Sequence, residues 1–152
     1  MDKRIRLTRT DWIMAGFTAL TEAGPVTLKA EPMARRLGTT KGSFYWHFGD
    51  VPDFHGKMLS LWAEGAVGHI PAALADQPTA VAKLRRLGQI VAGGGHPVLG
   101  DLPVEPAIRA WAREDATVAA TLAEVDRARM AFIQKLLSEI GITNPEMARI
   151  IY

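Results

Sequence analysis

Gly38 stands between two short helix-forming segments, and that spacing limits what the surrounding chain can build. The stretch Pro32 to Leu37 stops at Gly38, and Thr39-Thr40 restarts a second segment, Lys41-Gly42-Ser43-Phe44-Tyr45-Trp46-His47-Phe48. Two short helices joined by a tight Gly-containing turn, the second rich in polar and aromatic residues, is the sequence form of a helix-turn-helix that reads DNA. On a helical wheel Phe44 and Phe48 share one side and are expected to pack on the two helices before them. Gly42, Ser43 and Trp46 then face away, with Tyr45 and His47 on the flanks. Thr40 and Lys41 fall at the N-terminal tip, where a recognition helix meets base edges and phosphates.

Each of these residues has a chemical role open to it. Lys41 can bond guanine acceptors or a phosphate, and Thr40 and Ser43 can donate to either. Gly42 lets the helix backbone come close, while Tyr45 and His47 can hold phosphates that fix register. Thr39 and Lys29 complete the candidate contact set, with Arg4 and Arg6 from the N-terminal tail. The plain alternative is a helical hairpin with a solvated face, but such a face has no need of Tyr, Trp and His on two turns of helix.

The rest of the chain is helical in pattern, and the expected fold class is all-α. No window alternates apolar and polar residues with β-branched enrichment. Trp12, Ala15, Gly16, Ala19, Leu20 and Ala23 form one apolar stripe, with Thr8 or Thr10 as cap and Gly24-Pro25 as stop. Val26-Thr27-Leu28 reads as a link, and a second helix starts near Glu31-Pro32. After Phe48, a longer helix from Asp50 or Val51 presents Phe54, Met58, Leu61, Trp62, Ala66 and His69 and stops before Pro71. A fifth helix, about Thr79 to Ala92, turns Leu84, Leu87 and Val91 inward, and His96 to Pro103 reads as loop. In Glu105 to Glu114 an i, i+4 ladder of Glu105, Arg109 and Arg113 is expected on the outer face. The longest helix spans about Ala116 to Ile140. Asn144-Pro145-Glu146 opens another that reaches only Tyr152, so a truncated C-terminus is expected.

Composition narrows the function classes. Residues 1–57 hold nine Lys/Arg against six Asp/Glu, and residues 58–152 nine against ten, so the basic excess sits at one end. A basic head on a near-neutral body suits a nucleic-acid contact confined to that end. The chain has no cysteine, which excludes disulfides, thiol catalysis and Cys-based zinc sites. No apolar run approaches the ~20 residues of a membrane span. The charged N-terminus is no signal peptide, so a cytoplasmic setting without membrane contact is expected. The four histidines (47, 55, 69 and 96) lack the i, i+4 zinc spacing. Gly93-Gly94-Gly95 has neither a preceding strand nor a following Lys-Ser/Thr, so it is no phosphate loop. Nothing pairs a nucleophile with a base, and neither catalysis nor a cofactor is expected.

Trp12 to Trp62 resembles the DNA-binding domain of the tetracycline-repressor (TetR) family. The resemblance is carried by Ala15-Gly16 and Glu22-Ala23-Gly24, by Met33-Ala34-Arg35-Arg36-Leu37-Gly38, by Lys41-Gly42-Ser43-Phe44-Tyr45-Trp46-His47-Phe48, and by Met58-Leu59 in the next helix. Downstream, Ala107 to Trp111 and Glu124 to Leu137 resemble one branch of the family. The resemblance implies a three-helix DNA-binding head over residues 1–50 and a helical effector-binding and dimerisation body over residues 51–152. It implies a homodimeric, ligand-responsive repressor on a palindromic operator in double-stranded DNA. Many members carry a Lys at the start of the fourth helix, and here that place is Val51, flanked by Asp50 and Asp53. The basic tail then either reaches the DNA backbone or minor groove, or is a solvated end. Met58, Trp62, His69, Trp111, Met130 and Phe132 are the candidates to line an effector cavity, each with plain core as its alternative. A helical dimerisation or adaptor module that keeps the fold without reading DNA is the competing expectation.

Overall fold

The computed structural model describes residues 6–152, and every regular element among them is helical. Eight α-helices follow in order: α1 Arg9–Ala23, α2 Ala30–Arg36, α3 Lys41–His47, α4 Val51–Ala73, α5 Ala80–Gly93, α6 Val104–Trp111, α7 Ala116–Glu139 and α8 Pro145–Ile151. The all-α expectation therefore holds. Thr8, not Thr10, caps α1 through a capping box in which Thr8 Oγ1 accepts from the Asp11 N–H and Asp11 Oδ2 accepts from the Thr8 N–H. Side chains at Thr40, Asp50, Thr79, Asp115 and Asn144 cap α3, α4, α5, α7 and α8 in turn.

Three local expectations need correction. Val26-Thr27-Leu28, read as a link, is mostly taken up by a 3-10 turn, Pro25–Thr27, closed by Leu28 N–H bonding to the Pro25 carbonyl. Helix α4 does not stop before Pro71 but runs on to Ala73. A proline in the last turn forfeits only its own bond to the carbonyl four residues back, too little to end a long packed helix. Val91 is not turned into a packed core: it is 71% exposed, because the last turn of α5 borders an open cavity.

Two apolar clusters hold the helices. The larger joins Trp12, Phe17, Phe44 and Phe48 to Phe54, Met58 and Trp62 of α4, and continues through Ile108 and Trp111 into the first half of α7. The smaller packs Leu74, Leu87, Ile133, Leu137 and Ala148 where α4, α5, α7 and α8 meet. The boundary expected near residue 50 thus falls inside one continuous core, with the N-terminal helices seated directly on α4 and α6. His55 reinforces that seat. Its Nε2 lies 2.8 Å from the Leu28 carbonyl, which can only accept, so Nε2 carries the proton. The Trp111 ring stands edge-on to the same imidazole at 4.9 Å.

Phe44 is the residue that docks α3, because a helix of two turns has little stability of its own. Replacing it with alanine should remove about 3–5 kcal/mol, as for other buried aromatic truncations. Urea unfolding followed by circular dichroism checks this; a loss below about 1 kcal/mol would show that other contacts hold α3.

Candidate nucleic-acid interface and internal cavity

The turn between α2 and α3 follows from a single backbone requirement. Gly38 has φ +62°, a left-handed conformation that costs glycine nothing and other residues a steric clash. With that residue in place, the Gly38 N–H bonds the Arg35 carbonyl (3.2 Å) and the Thr39 N–H bonds the Ala34 carbonyl (2.9 Å). This is the Schellman pattern, which satisfies the end of α2 and redirects the chain. Thr40 then accepts the Ser43 N–H at 3.2 Å and starts α3, leaving its own hydroxyl proton free to donate outward.

Phe44 and Phe48 are buried completely, and the opposite face of α3 opens to solvent. Trp46 is 74% exposed and Tyr45 48%, although each is a large apolar ring with a cost in water. Thr40, Lys41 and Gly42 are exposed with them, whereas Thr39, Ser43 and His47 are half-buried. The His47 ring lies 6.3 Å from that of Trp12, and Tyr45 packs edge-on to Phe44 at 5.3 Å. Lys29 is exposed at the position preceding α2, and Arg6 is exposed ahead of α1. Arg4 and its neighbour Lys3 lie outside the described residues.

Charges around this face divide into engaged and open ones. Arg36 is held by Glu22 of α1 at 2.6 Å, and Arg35 by Glu31 at 3.2 Å. Among the described residues no ion pair engages Arg6, Lys29 or Lys41. Lys41 opens α3, where the helix dipole disfavours a cation. At the start of α4, where the resemblance leads one to look for a lysine, the protein places its own carboxylates. Asp50 Oδ1 accepts the Asp53 N–H at 2.7 Å, and Asp53 Oδ2 accepts the Gly49 N–H at 3.0 Å. Asp53 also pairs with Lys57, and that bond and the one from Gly49 hold its carboxyl below the usual range. The Gly49 and Asp53 N–H groups at this helix start are therefore satisfied internally.

Behind the head, α4, α5, α6, α7 and α8 enclose a cavity of about 1230 Å³, partly open to solvent. Its walls are mainly apolar, with Ile70, Leu84, Leu87 and Ile133 among them. Of the six residues expected to line such a space, Trp62 and Phe132 do so. Met58 and Trp111 belong to the packed core instead, Met58 facing Gly16 of α1 and Trp111 facing His55. His69 is exposed and Met130 half-buried, neither on the wall. Periodicity identified the apolar faces but could not say which neighbour each would meet.

The polar lining was the part least visible in sequence. Glu105 and Arg109 do pair, at 3.0 Å, but the pair turns inward to α7 rather than outward, and Arg113 lies exposed beyond the end of α6. Arg109 grips Asp126 through two bonds of 2.8 and 3.1 Å, and Arg129 grips Glu105 at 2.9 and 3.3 Å. Tyr152 donates its hydroxyl proton to Asp126. Burial pushes Asp126 up, but the bonds from Arg109 and Tyr152 outweigh it and hold the carboxyl below its usual range.

His96 lies in the loop between α5 and α6, as read, and acts there as a strut. Its Nδ1 accepts N–H bonds from Val98 (3.2 Å) and Leu99 (3.3 Å), so the proton sits on Nε2, which donates to the Trp62 carbonyl at 2.9 Å. The ring fills the space above Gly65, where a Cβ would come within 2.1 Å of it. Burial, with Arg129 nearby, pushes the imidazole below its ordinary value despite the bond to Trp62 and the Glu105 carboxylate. Three glycines before a lone histidine gave no sequence signal for this role.

Among the described residues no helix is long and apolar enough to cross a membrane, and no group of three His, Asp or Glu is placed to hold a metal. No protein-family model matches the chain, and no curated protein sequence does. One solved structure that is similar is a candidate transcriptional regulator from Streptomyces coelicolor A3(2). The two share a TM-score of 0.70 at 15% identity, over 94% of this chain and 82% of the other, a likeness of fold.

The neutral His96 imidazole makes stability depend on pH with a definite sign. Its folded pKa lies below the unfolded value of about 6.5, so its stabilisation is present above that pH and is lost as pH falls through the folded pKa. Thermal unfolding followed from pH 8 to 5 should show that decline, and His96→Ala should flatten it. Gly65→Ala should cost about 1–3 kcal/mol in a denaturant titration, since the ring must leave its seat. A neutral effect of Gly65→Ala would mean that the loop re-seats freely.

Proposed function

We propose that this chain is a non-catalytic DNA-binding transcriptional regulator of the tetracycline-repressor type. In this reading it binds a palindromic operator as a homodimer and is released by a small molecule in the cavity behind its head. The observation that carries the reading is the division of α3: Phe44 is sealed in the core while Trp46, Tyr45 and Lys41 stand in solvent. Exposing two large aromatic rings on a seven-residue helix is costly for a solvated surface and reasonable for one that enters a duplex groove. Local rules broken together, with a cation at a helix start beside exposed rings, are a mark of functional surface. The similar fold in a protein described as a candidate transcriptional regulator supports the same class. On this reading Lys41, Gly42, Ser43 and Tyr45 meet bases and nearby phosphates, while Lys29, Arg6 and Arg4 meet the backbone.

Effector control then acts by differential affinity. A ligand that favours a head spacing unfit for successive grooves lowers operator affinity only by the difference in its own affinity for the two states. The seat of the head on α4 and α6, through Phe54, His55 and Trp111, is the physical link such a change would use.

One observation favours the adaptor reading. Asp50 and Asp53 occupy the α4 start and oppose a phosphate there, and Lys57 is already paired. Selection from randomised duplex DNA, followed by fluorescence anisotropy on the recovered sites, separates the two. A reader recovers an inverted repeat and loses affinity steeply as salt rises, because phosphate contacts release counterions. Lys41→Ala should weaken binding by about 1–3 kcal/mol, and Tyr45→Phe should weaken it too, with unfolding curves unchanged. Absence of DNA binding at low salt would leave the adaptor reading standing.

A further inference from the structure

The cavity combines an apolar wall with a polar end whose charges cancel. Ile70, Leu84, Leu87, Phe132 and Ile133 supply the first. Glu105, Arg109 and Arg129 border the second, and Asp126 stands behind them against Arg109. Two guanidiniums therefore face two carboxylates, and each pair is held in two-point geometry. Every nitrogen of Arg129 has an acceptor, since its Nε donates to the Ala66 carbonyl at 3.3 Å. The Tyr152 hydroxyl is committed to Asp126, and both nitrogens of His96 are engaged. Asp101, at the mouth, is exposed and carries a charge that would repel an anion.

An incoming anion finds both guanidiniums already held at two points, and drawing one toward itself weakens the pairing of a carboxylate that is only partly exposed. Such an exchange gains one ion pair at the expense of another, so it is unfavourable. An incoming cation meets the same obstacle with the signs reversed, except at the solvent-screened Asp101. An uncharged molecule disturbs nothing and gains by covering the apolar wall.

From this arrangement we propose that the cavity takes a formally uncharged, predominantly apolar small molecule, with the Glu105–Arg109–Asp126–Arg129 quartet acting as the element that rejects anions. The proposal deepens the reading of the cavity as an effector site and rests on it for any effect on DNA. Binding itself is measured without DNA.

Two fluorescent probes with the same ring skeleton make the test direct. N-phenyl-1-naphthylamine is uncharged, and 1-anilinonaphthalene-8-sulfonate adds one sulfonate. The neutral probe should bind at least about tenfold more tightly than the sulfonate. Glu105→Gln, and separately Asp126→Asn, should narrow or reverse that ratio by leaving a guanidinium uncompensated. Gly88→Phe places a ring from α5 into open space at the cavity wall without backbone conflict and should weaken the neutral probe about tenfold. Equal or tighter binding of the sulfonate to the unaltered protein would overturn the proposal. So would failure of both probes to bind, or neutral-probe binding that Gly88→Phe leaves unchanged. A neutral probe that binds as expected but leaves operator affinity untouched would sink the regulatory reading and spare the cavity's selectivity.

Discussion

Phe44, Phe48 and Phe54 meet Trp12 in a single aromatic cluster, with ring centroids 4.9 to 5.5 Å apart along its closest pairs. All four rings are inaccessible or nearly so. They come from α1, from α3 and its C-cap, and from α4, so one packing event fixes α1 and α3 to each other and to the body. Trp12–Phe44 and Phe44–Phe54 meet edge-to-face, which adds to the gain from burial and limits the orientations the rings accept. Since α3 is too short to persist alone, its exposed face is presented only because its other face is captured here. The candidate interface is in that sense a consequence of the core.

The second organising constraint is electrostatic. Charged groups placed at the edge of an apolar space carry a desolvation cost that falls only when partners saturate one another. The α6–α7 quartet meets that requirement with two-point guanidinium–carboxylate contacts, and Tyr152, the C-cap of α8, adds a further bond. The same bonds tie three helices around the cavity. Stability of the body and the selectivity of its interior therefore rest on the same side chains.

Much of the candidate interface was legible because its determinants are local. Gly38, the Thr40 cap and the Phe44/Phe48 spacing act within a dozen residues, and the Schellman turn and the two-faced α3 follow from them. The cavity was legible only in part. Trp62 and Phe132 line it as their apolar character suggested, while Met58 and Trp111 serve the core. An apolar residue at helical spacing marks an inward face without marking what lies opposite.

The sequence by itself determined the helical class, the starts of α1, α3, α4, α5 and α8 close to their capping residues, and the two sides of α3, because caps and periodicity depend on neighbours a few residues away. Only the tertiary structure decided the rest. It turned Glu105 and Arg109 toward Asp126 and Arg129, seated His96 in the space over Gly65, and joined His55 to Leu28 and Trp111. These contacts link residues as far apart in sequence as His55 and Trp111, and such partners are chosen by how the helices pack, which no local pattern encodes.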